Sequence, residues 1–419
     1  MHQEGKGANN DVRMRGFAKR HTVSEALAWL DAQLRCLPAE EVRLSSAAGR
    51  VLANPVVSGF DVPGFDRATM DGYAVFAGST EGASSYNRLL LIVVGDSMPG
   101  RPFEGPVVSG EAVRIMTGAP IPPGVDAVLP AEWVDVEQAE GRQPAICALA
   151  SVSPGKNIGR RGEDIVRGAP LFEAGRVLRP QDLGVLSSVG IGAVNVIRRP
   201  RVRLVITGNE LLPSGTPPNG FEIADANGPM LAALTERDGG QVLFPALVRD
   251  DPKAIFEALQ ADADIILVSG GSSVGVEDVA PTLIAQHGDL AVHGIAMRPS
   301  SPTGLGRLGH RIVLLLPGNP VSSLCAYDFF AGRAIRALGG RTKEWPYRKI
   351  SGRLSRKISS PIGRLDYARV KFQDGVVEPL AVGGASLLSS TTRADGFVVI
   401  GDDSEGFAAG ADVDVWLYG

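Results

Sequence analysis

Polar loops follow five hydrophobic segments in the second half of the chain, and each segment has the length of a buried strand. Because ligands bind at the carboxyl ends of strands in open α/β sheets, these loops are the expected place for a binding or catalytic site. Their residues are mainly glycines, which suit anions, and carboxylates, which suit cations. The loops are Thr207–Glu210, Arg249–Pro252, Ser269–Gly275, Arg298–Pro302 and Pro317–Ser322.

The glycine-rich loop Ser269–Gly275 lies between a predicted strand and a predicted helix. Backbone N–H groups there, together with the helix N-terminus, can form a cradle for phosphate. Asn319 precedes Pro320 and is expected to cap a second helix. The loop lacks the Gly-Lys-Ser/Thr ending of a Walker A motif, and no GxGxxG follows the first strand. Taken alone, the loop is explained equally well by a tight turn and by phosphate binding.

Three carboxylates, Glu210, Asp250 and Asp278, come after three different strands. Carboxylates that converge beside a phosphate cradle suit Mg²⁺, which takes one or two of them together with substrate oxygens. The alternative is that Asp250 and Asp278 cap the helices that follow them. A cap is the better explanation for one aspartate in isolation, but the whole set at one edge of a sheet predicts a metal site.

The segment from about 196 to 340 alternates strands with helices, which is typical of βαβ units and a mostly parallel sheet. We expect a doubly wound α/β domain there. The predicted strands are Val202–Thr207, Val242–Val248, Ile265–Ser269, Ala291–Met297 and Ile312–Leu316, and the predicted helices are Pro229–Arg237, Pro252–Leu259, Val276–His287 and Pro320–Leu338.

A helix and two β-rich segments flank this domain. Thr22 and Glu25 have the spacing of a capping box at the start of the helix. Short apolar runs broken by Gly and Pro predict an all-β module before the α/β domain and a small β-barrel domain after it. The fold class is therefore multidomain α/β plus β. The predicted domains are 17–55 with 150–195 (elongated, N-terminal), 56–149 (an inserted β domain), 196–342 (α/β) and 343–419 (β).

Composition excludes several classes of protein. The 42 lysines and arginines against 46 aspartates and glutamates give a net charge of −4, which disfavours a nucleic-acid-binding surface. The three cysteines have neither zinc nor disulfide spacing, which favours a reducing compartment. No apolar run approaches the roughly 20 residues of a membrane span, and the polar first twenty residues are not a secretory signal. We therefore expect a cytoplasmic protein with neither nucleic acid nor membrane as partner.

Six motifs in order along the chain resemble those of the MoeA family, the molybdopterin molybdenumtransferases, whose vertebrate relative includes the C-terminal part of gephyrin. The resemblance extends from about residue 20 to the end of the chain. The motifs are Phe65–Ala74 (FDRATMDGYA), Thr117–Pro120 (TGAP), Gly162–Ile165 (GEDI), Thr207–Leu211 (TGNEL), Ser269–Gly275 (SGGSSVG) and Leu316–Ser322 (LPGNPVS).

The resemblance implies a homodimer of L-shaped, four-domain subunits, in which the α/β domain binds molybdopterin and has the fold of molybdopterin adenylyltransferases. It also implies that the enzyme takes adenylylated molybdopterin and molybdate, uses Mg²⁺, releases AMP and leaves molybdenum on the dithiolene sulfurs. A molybdopterin adenylyltransferase is a further partner that the resemblance suggests.

The resemblance also implies roles for single residues. Asp71 and Thr117 match active-site residues contributed across the dimer, and with Glu210 they are the predicted catalytic residues; the acidic residues Asp250 and Asp278 are the predicted metal ligands. Arg364 and Arg369 resemble a basic pair at the molybdate pocket, and either could face the anion. The predicted substrate-binding residues are Gly270, Gly271, Ser273, Gly275, Arg298, Ser301, Pro302, Pro317, Asn319, Pro320, Ser322, Arg364 and Arg369.

The loop Arg298–Pro302 departs from the family pattern, which usually reads Lys-Pro-Gly-Lys-Pro. Arg298 keeps the first positive charge with a different donor geometry, whereas Ser301 replaces the second lysine with a neutral side chain. Asn209 and Ser272 stand where the family prefers aspartate and valine. Three hypotheses follow: an active molybdenumtransferase, a paralogue that binds molybdopterin or a partner protein without inserting metal, and an enzyme that prefers tungstate.

Overall fold

The structure, a computed structural model, describes residues 20–137, 143–271, 279–381 and 383–418. It divides into two compact units. The first unit comprises Met1–Glu40, Gly49–Ala53 and Asn195–Gly419, and the second comprises Glu41–Ala48 and Asn54–Val194. Among the described residues, no helix has the length and apolar character needed to cross a membrane.

The second unit is built around a six-stranded, mainly antiparallel sheet. Its strand Gly72–Val75 is buried on both faces, because hydrophobic clusters cover the sheet on each side. The order of the strands across the sheet is Ala127–Pro130, Gly72–Val75, Glu111–Ile115, Leu89–Ser97, Ala145–Ala148 and Val134–Glu137.

Short elements complete this unit. Two pairs of short antiparallel strands belong to it, Val56–Val57 with Pro170–Phe172 and Arg67–Ala68 with Ile158–Gly159. The helix Pro180–Ser188 begins at its proline, as expected from a residue with a fixed φ and no N–H. Strands Ala39–Arg43 and Ala193–Ile197 lie where the chain passes between the units.

The α/β part of the first unit contains a second six-stranded sheet, of which four neighbouring strands are parallel. The mostly parallel sheet is therefore confirmed. The order of its strands is Gln241–Val248, Arg201–Thr207, Ile265–Ser269, Arg311–Leu316, Gly304–Leu308 and Asp289–His293.

Helices cover both faces of this sheet, as a doubly wound fold requires. Leu231 and Ala334 pack on one face, whereas Ile255 and Ile284 pack on the other. The helices are Val23–Gln33, Asn227–Arg237, Pro252–Leu259, Ala280–His287 and Pro320–Ala326, the last of which continues through a π-helical turn, Tyr327–Ala331, into Gly332–Leu338.

The strand Gly304–Leu308 was not expected, and the predicted strand Ala291–Met297 is wrong in its extent. Gly294 has φ +90° and ends the strand that precedes it, after which Met297–Arg298 pairs with a strand of the C-terminal domain. The two glycines of Gly304–Leu308 hide its strand character from a pattern of apolar residues. A Cβ at Gly306 would lie 2.4 Å from the carbonyl oxygen of Asp289, so this close approach between strands needs glycine.

The C-terminal part of the first unit is a closed five-stranded barrel. It closes because Leu365–Gln373 pairs with Val376–Ala381 on one side and with Gly396–Ile400 on the other. Each of the five strands pairs with a neighbour on both sides, and the small β-barrel expected from the sequence is confirmed. The remaining strands of the barrel are Arg348–Leu354 and Asp412–Leu417, and short elements nearby are Ile358–Ser359, Gly406–Phe407 and Ser389–Thr392.

The π-helical turn in the last helix of the α/β part buries Asp328 against the barrel. Its carboxylate accepts hydrogen bonds from Tyr347 (2.8 Å) and Tyr367 (3.3 Å), and Arg237 lies 3.7 Å away. Burial is the largest influence on this group and raises the pKa of Asp328 to about 6.

Candidate functional site

A pocket of about 560 Å³ lies at the carboxyl ends of the parallel strands, where the polar loops meet. Three carboxylates line it, and no lysine or arginine does among the residues that the structure describes; we call it the acidic pocket. The carboxylates are Glu210, Asp225 and Asp250. Predicted site residues that also line it are Gly270, Gly271, Pro302, Pro317, Asn319 and Pro320.

Asp250 does not cap the helix Pro252–Leu259. The cap is its neighbour Asp251, whose Oδ2 accepts a hydrogen bond of 2.8 Å from the N–H of Ala254. Asp250 instead exchanges hydrogen bonds with Asn209, accepting from its N–H at 3.1 Å and donating its own N–H to Asn209 Oδ1 at 3.2 Å. The predicted residues Ser273, Gly275 and Asp278 lie outside the described residues.

The glycine loop runs close to a neighbouring strand. Gly270 has φ +97°, and a Cβ there would lie 2.2 Å from the carbonyl oxygen of Thr207. The position therefore needs glycine for both its conformation and its packing. Gly318 lies on the other side of Gly270, because a Cβ built on Gly318 would be 3.5 Å from the Cα of Gly270. Two loops therefore meet at the floor of the acidic pocket.

Asn227 joins these two loops and is a site residue that the sequence reasoning missed. Its Nδ2 donates to Ser269 Oγ (2.8 Å) and to the carbonyl oxygen of Gly318 (2.7 Å). Asp225, also missed, accepts from the N–H of Gly228 at 2.9 Å and so orients the start of the same helix. The only sequence signal was an Asp and an Asn just before a helix, which usually indicates a cap.

Asn319 occupies the N-cap position of the helix that begins at Pro320, but its side chain makes no capping hydrogen bond. The expected cap is wrong for a physical reason. The N–H of Val321, from which a capping side chain could accept, donates instead to the carbonyl oxygen of Ala385 at 3.0 Å. The Asn319 side chain consequently lines the pocket rather than closing the helix end.

A second pocket, of about 790 Å³, shares Pro302, Pro317 and Asn319 with the acidic pocket. Three arginines and no carboxylate line it among the described residues, and we call it the basic pocket. The arginines are Arg20, Arg298 and Arg364, and the other predicted residues on its wall are Ser301 and Ser322.

A buried carboxylate holds two of these arginines. Asp366 is 0% exposed and pairs with Arg298 through two hydrogen bonds, of which the one from Nε is 3.0 Å. Arg364 Nε lies 3.3 Å from Asp366 Oδ1, the oxygen that Arg298 Nε also contacts, as an ion pair without a hydrogen bond among the described residues. The Arg298 guanidinium is therefore fixed in direction, and both arginines keep further N–H donors.

Arg369 is fully buried and does not line the basic pocket. Its Nη2 donates to the carbonyl oxygen of Gly383, whereas Nε and Nη1 have no hydrogen-bond partner within the described ranges. Burial lowers the pKa of the Arg369 guanidinium. Of the two arginines that the sequence left open, the structure thus places Arg364 on the pocket wall. The Oγ of Ser301 is likewise buried without a hydrogen-bond partner in the described part of the chain.

Asp71 and Thr117 lie together in the second unit. The N–H and the hydroxyl of Thr117 both donate to Asp71 Oδ1, each at 2.7 Å. These hydrogen bonds, with the backbone one the larger influence, hold the pKa of Asp71 below its usual value. The pair therefore presents an ionised carboxylate on an exposed surface.

The carboxylates of the acidic pocket suit Mg²⁺ in their chemistry, because it prefers oxygen ligands. Within the described ranges, no group of three or more acidic, histidine or cysteine side chains is arranged to hold a metal by itself. Mg²⁺ usually needs only one or two carboxylates and completes its shell with water and substrate phosphates, so the two observations agree.

Comparisons with known proteins cover nearly the whole chain. Residues 21–190 match the MoeA N-terminal region (domain I and II), residues 203–337 match a probable molybdopterin binding domain, and residues 351–418 match the MoeA C-terminal region (domain IV). A curated relative from Mycobacterium tuberculosis, molybdopterin molybdenumtransferase 2, is 35% identical over 387 residues, which are 90% of this chain and 94% of that protein. The molybdopterin molybdenumtransferase of Haemophilus influenzae is 33% identical and covers 90% of this chain and 93% of its own.

Solved structures agree with the fold. The molybdopterin biosynthesis MoeA protein of Pyrococcus horikoshii is 33% identical, with a TM-score of 0.78, over 96% of this chain and 100% of its own. The expected multidomain architecture of α/β and β domains is thereby confirmed.

Proposed function

The chain belongs to the MoeA family, and from that premise we propose that it is a molybdopterin molybdenumtransferase that inserts molybdenum from molybdate into adenylylated molybdopterin with release of AMP. Its place in molybdenum cofactor biosynthesis follows from relatives that carry this name. The observation that carries the finer proposal is the pair of adjoining pockets with opposite charge, since this reaction needs a cation and an oxyanion next to each other.

The acidic pocket suits the nucleotide end of the substrate. Its carboxylates would repel a phosphate anhydride unless a divalent cation lay between them, and Glu210 and Asp250, with Asp278, are the residues that would hold Mg²⁺. Bound there, Mg²⁺ would offset the charge that develops on the leaving AMP. Gly270 and Gly271 bring backbone close to the substrate, and Asn227 keeps their loop in register with that of Gly318.

The basic pocket suits molybdate. Arg298 and Arg364 can donate N–H groups to a tetrahedral dianion, and before the anion arrives Asp366 holds Arg298 by hydrogen bonds and attracts Arg364 by its charge. A fixed arrangement of donors lowers the cost of ordering them on binding. Pro302, Pro317 and Asn319, which both pockets share, form the boundary across which molybdenum would reach the dithiolene.

Four further properties of the protein remain predictions from the sequence. They are the homodimer, a molybdopterin adenylyltransferase as partner, the cytoplasmic location, and a role for Asp71 and Thr117 across the dimer. The ionised carboxylate of Asp71 and its two hydrogen bonds from Thr117 support a site in which this group accepts hydrogen bonds.

The test is incubation of the pure protein with adenylylated molybdopterin, Mg²⁺ and molybdate, followed by measurement of AMP. We expect AMP release that requires Mg²⁺ and molybdate. Binding of the substrate without any AMP release would contradict the proposal and favour the paralogue that only binds. The assay is run with both oxyanions, because Ser301 replaces a lysine of the family pattern in the basic pocket. Faster AMP release with tungstate than with molybdate would identify tungstate as the preferred oxyanion.

A further inference from the structure

The basic pocket contains an arginine, Arg20, that lies outside the family motifs and the predicted site. Unlike Arg298 and Arg364, it is exposed, and in the described ranges it has no hydrogen-bonded or ion-paired partner. Its guanidinium N–H groups are therefore available to a ligand that enters this pocket.

The backbone that follows keeps Arg20 beside the pocket. The N–H of His21 donates to the carbonyl oxygen of Gly294 at 3.0 Å, and its carbonyl oxygen accepts from the N–H of Ala296 at 2.7 Å. Thr22 then begins the helix through a capping box with Glu25. Since consecutive Cα atoms are about 3.8 Å apart, the backbone of Arg20 cannot move far from the loop that carries Arg298.

Charge balance shows what Arg20 adds. Arg298 and Arg364 share the buried carboxylate of Asp366, so these three groups together contribute one net positive charge. Ser301 contributes none, and no carboxylate lines the described wall of the pocket. Counting only the side chains that line the described wall and the carboxylate paired with them, and not Arg369 buried behind it, a dianion bound there would keep one uncompensated negative charge without Arg20.

We propose that Arg20 is a further substrate-binding residue, which captures the oxyanion at the mouth of the basic pocket and supplies the second positive charge. The inference rests on the proposed function, because it takes molybdate as the occupant of this pocket. An exposed cation at the mouth acts on a dianion both during its approach and after binding.

Calorimetric titration of molybdate into the full chain tests the proposal with Arg20→Ala, Arg20→Lys and a matched control, Arg35→Ala. Arg35 follows the same helix and bonds only to nearby backbone oxygens within the described residues, so its removal should change nothing. We expect Arg20→Ala to bind molybdate about five- to tenfold more weakly, and Arg20→Lys to keep most of the affinity. The difference should shrink at high salt, because an exposed charge is screened.

A second titration, of AMP with Mg²⁺, separates binding from a structural role. Arg20 does not line the acidic pocket, so AMP affinity should be equal in Arg20→Ala and the unaltered protein. Equal molybdate affinities of Arg20→Ala and the unaltered protein would overturn the role of Arg20 but not the proposed function. An equal weakening of molybdate and AMP binding in Arg20→Ala would do the same. Failure of the unaltered protein to bind molybdate would overturn the occupant assigned to the basic pocket, and with it both the proposed function and the role of Arg20.

Discussion

Replacing Ser301 with lysine adds a positive charge to the basic pocket, where the hydroxyl now lies buried without a hydrogen-bond partner among the described residues. Two opposite unit charges about 5 Å apart attract each other by about 3 kcal/mol at an effective dielectric constant of about 20, and a dianion doubles this attraction. Ordering the lysine side chain costs about 2 kcal/mol, and holding it beside the one net positive charge of Arg298, Arg364 and Asp366 costs about 3 kcal/mol at a similar distance. A net gain of about 1–2 kcal/mol remains, which corresponds to molybdate binding roughly tenfold more tightly.

Calorimetric titration of molybdate measures this gain, with Ser301→Met as a control that adds comparable bulk without charge. We expect Ser301→Met to bind no more tightly than the unaltered protein, and the gain of Ser301→Lys to fall only modestly in high salt, because the pocket shields it from solvent ions. An unchanged affinity in Ser301→Lys would refute the placement of the oxyanion beside residue 301, and equal gains in both variants would refute the electrostatic reasoning.

Two further predictions concern carboxylates. Asp250→Asn keeps an oxygen acceptor for the N–H of Asn209 but loses the charge, so Mg²⁺-dependent AMP release should fall by about tenfold or more. The control Asp251→Asn keeps the helix cap and should keep the activity of the unaltered protein. Equal activities of the two variants would remove Asp250 from the metal site. The pKa of Asp328 is about 6 in the folded protein, against an ordinary value of 3.8 when the side chain is solvated in the unfolded chain. The folded state therefore binds this proton more tightly, and the protein loses stability as pH rises from about 4 to 6, by about 3 kcal/mol at most. Asp328→Asn should therefore raise the melting temperature relative to the unaltered protein more at pH 7.5 than at pH 5, measured by calorimetry, and a difference independent of pH would contradict the raised pKa.

Local patterns predicted the elements that depend on neighbouring residues. The capping box of Thr22 and Glu25 is present, and the helix Pro252–Leu259 has the predicted bounds. The alternation of apolar strands with helices also predicted the parallel sheet correctly, because each βαβ unit can bury its faces in few other ways. The loops at the strand ends could be named for the same reason, since topology brings the carboxyl ends of parallel strands together.

Contacts between distant parts of the chain could not be read in this way. The pairing of Asp366 with Arg298 depends on a short strand, Met297–Arg298, that joins the barrel, and no local pattern marks it. Asn227 is similar, because its partners Ser269 and Gly318 are neighbours only in the folded sheet. These residues determine how the acidic and basic pockets are held, although the sequence had already named many of the residues on their walls.

The central claim is that the acidic pocket takes the nucleotide with its cation while the basic pocket takes the oxyanion. Anomalous diffraction from crystals grown with AMP, Mg²⁺ and tungstate tests it directly, because tungsten scatters strongly enough to be located without ambiguity. The account predicts a tungsten peak in the basic pocket, with the oxygens of tungstate within hydrogen-bonding distance of Arg298 or Arg364, and the phosphate of AMP in the acidic pocket. A tungsten peak among Glu210, Asp225 and Asp250, with the basic pocket empty, would contradict it.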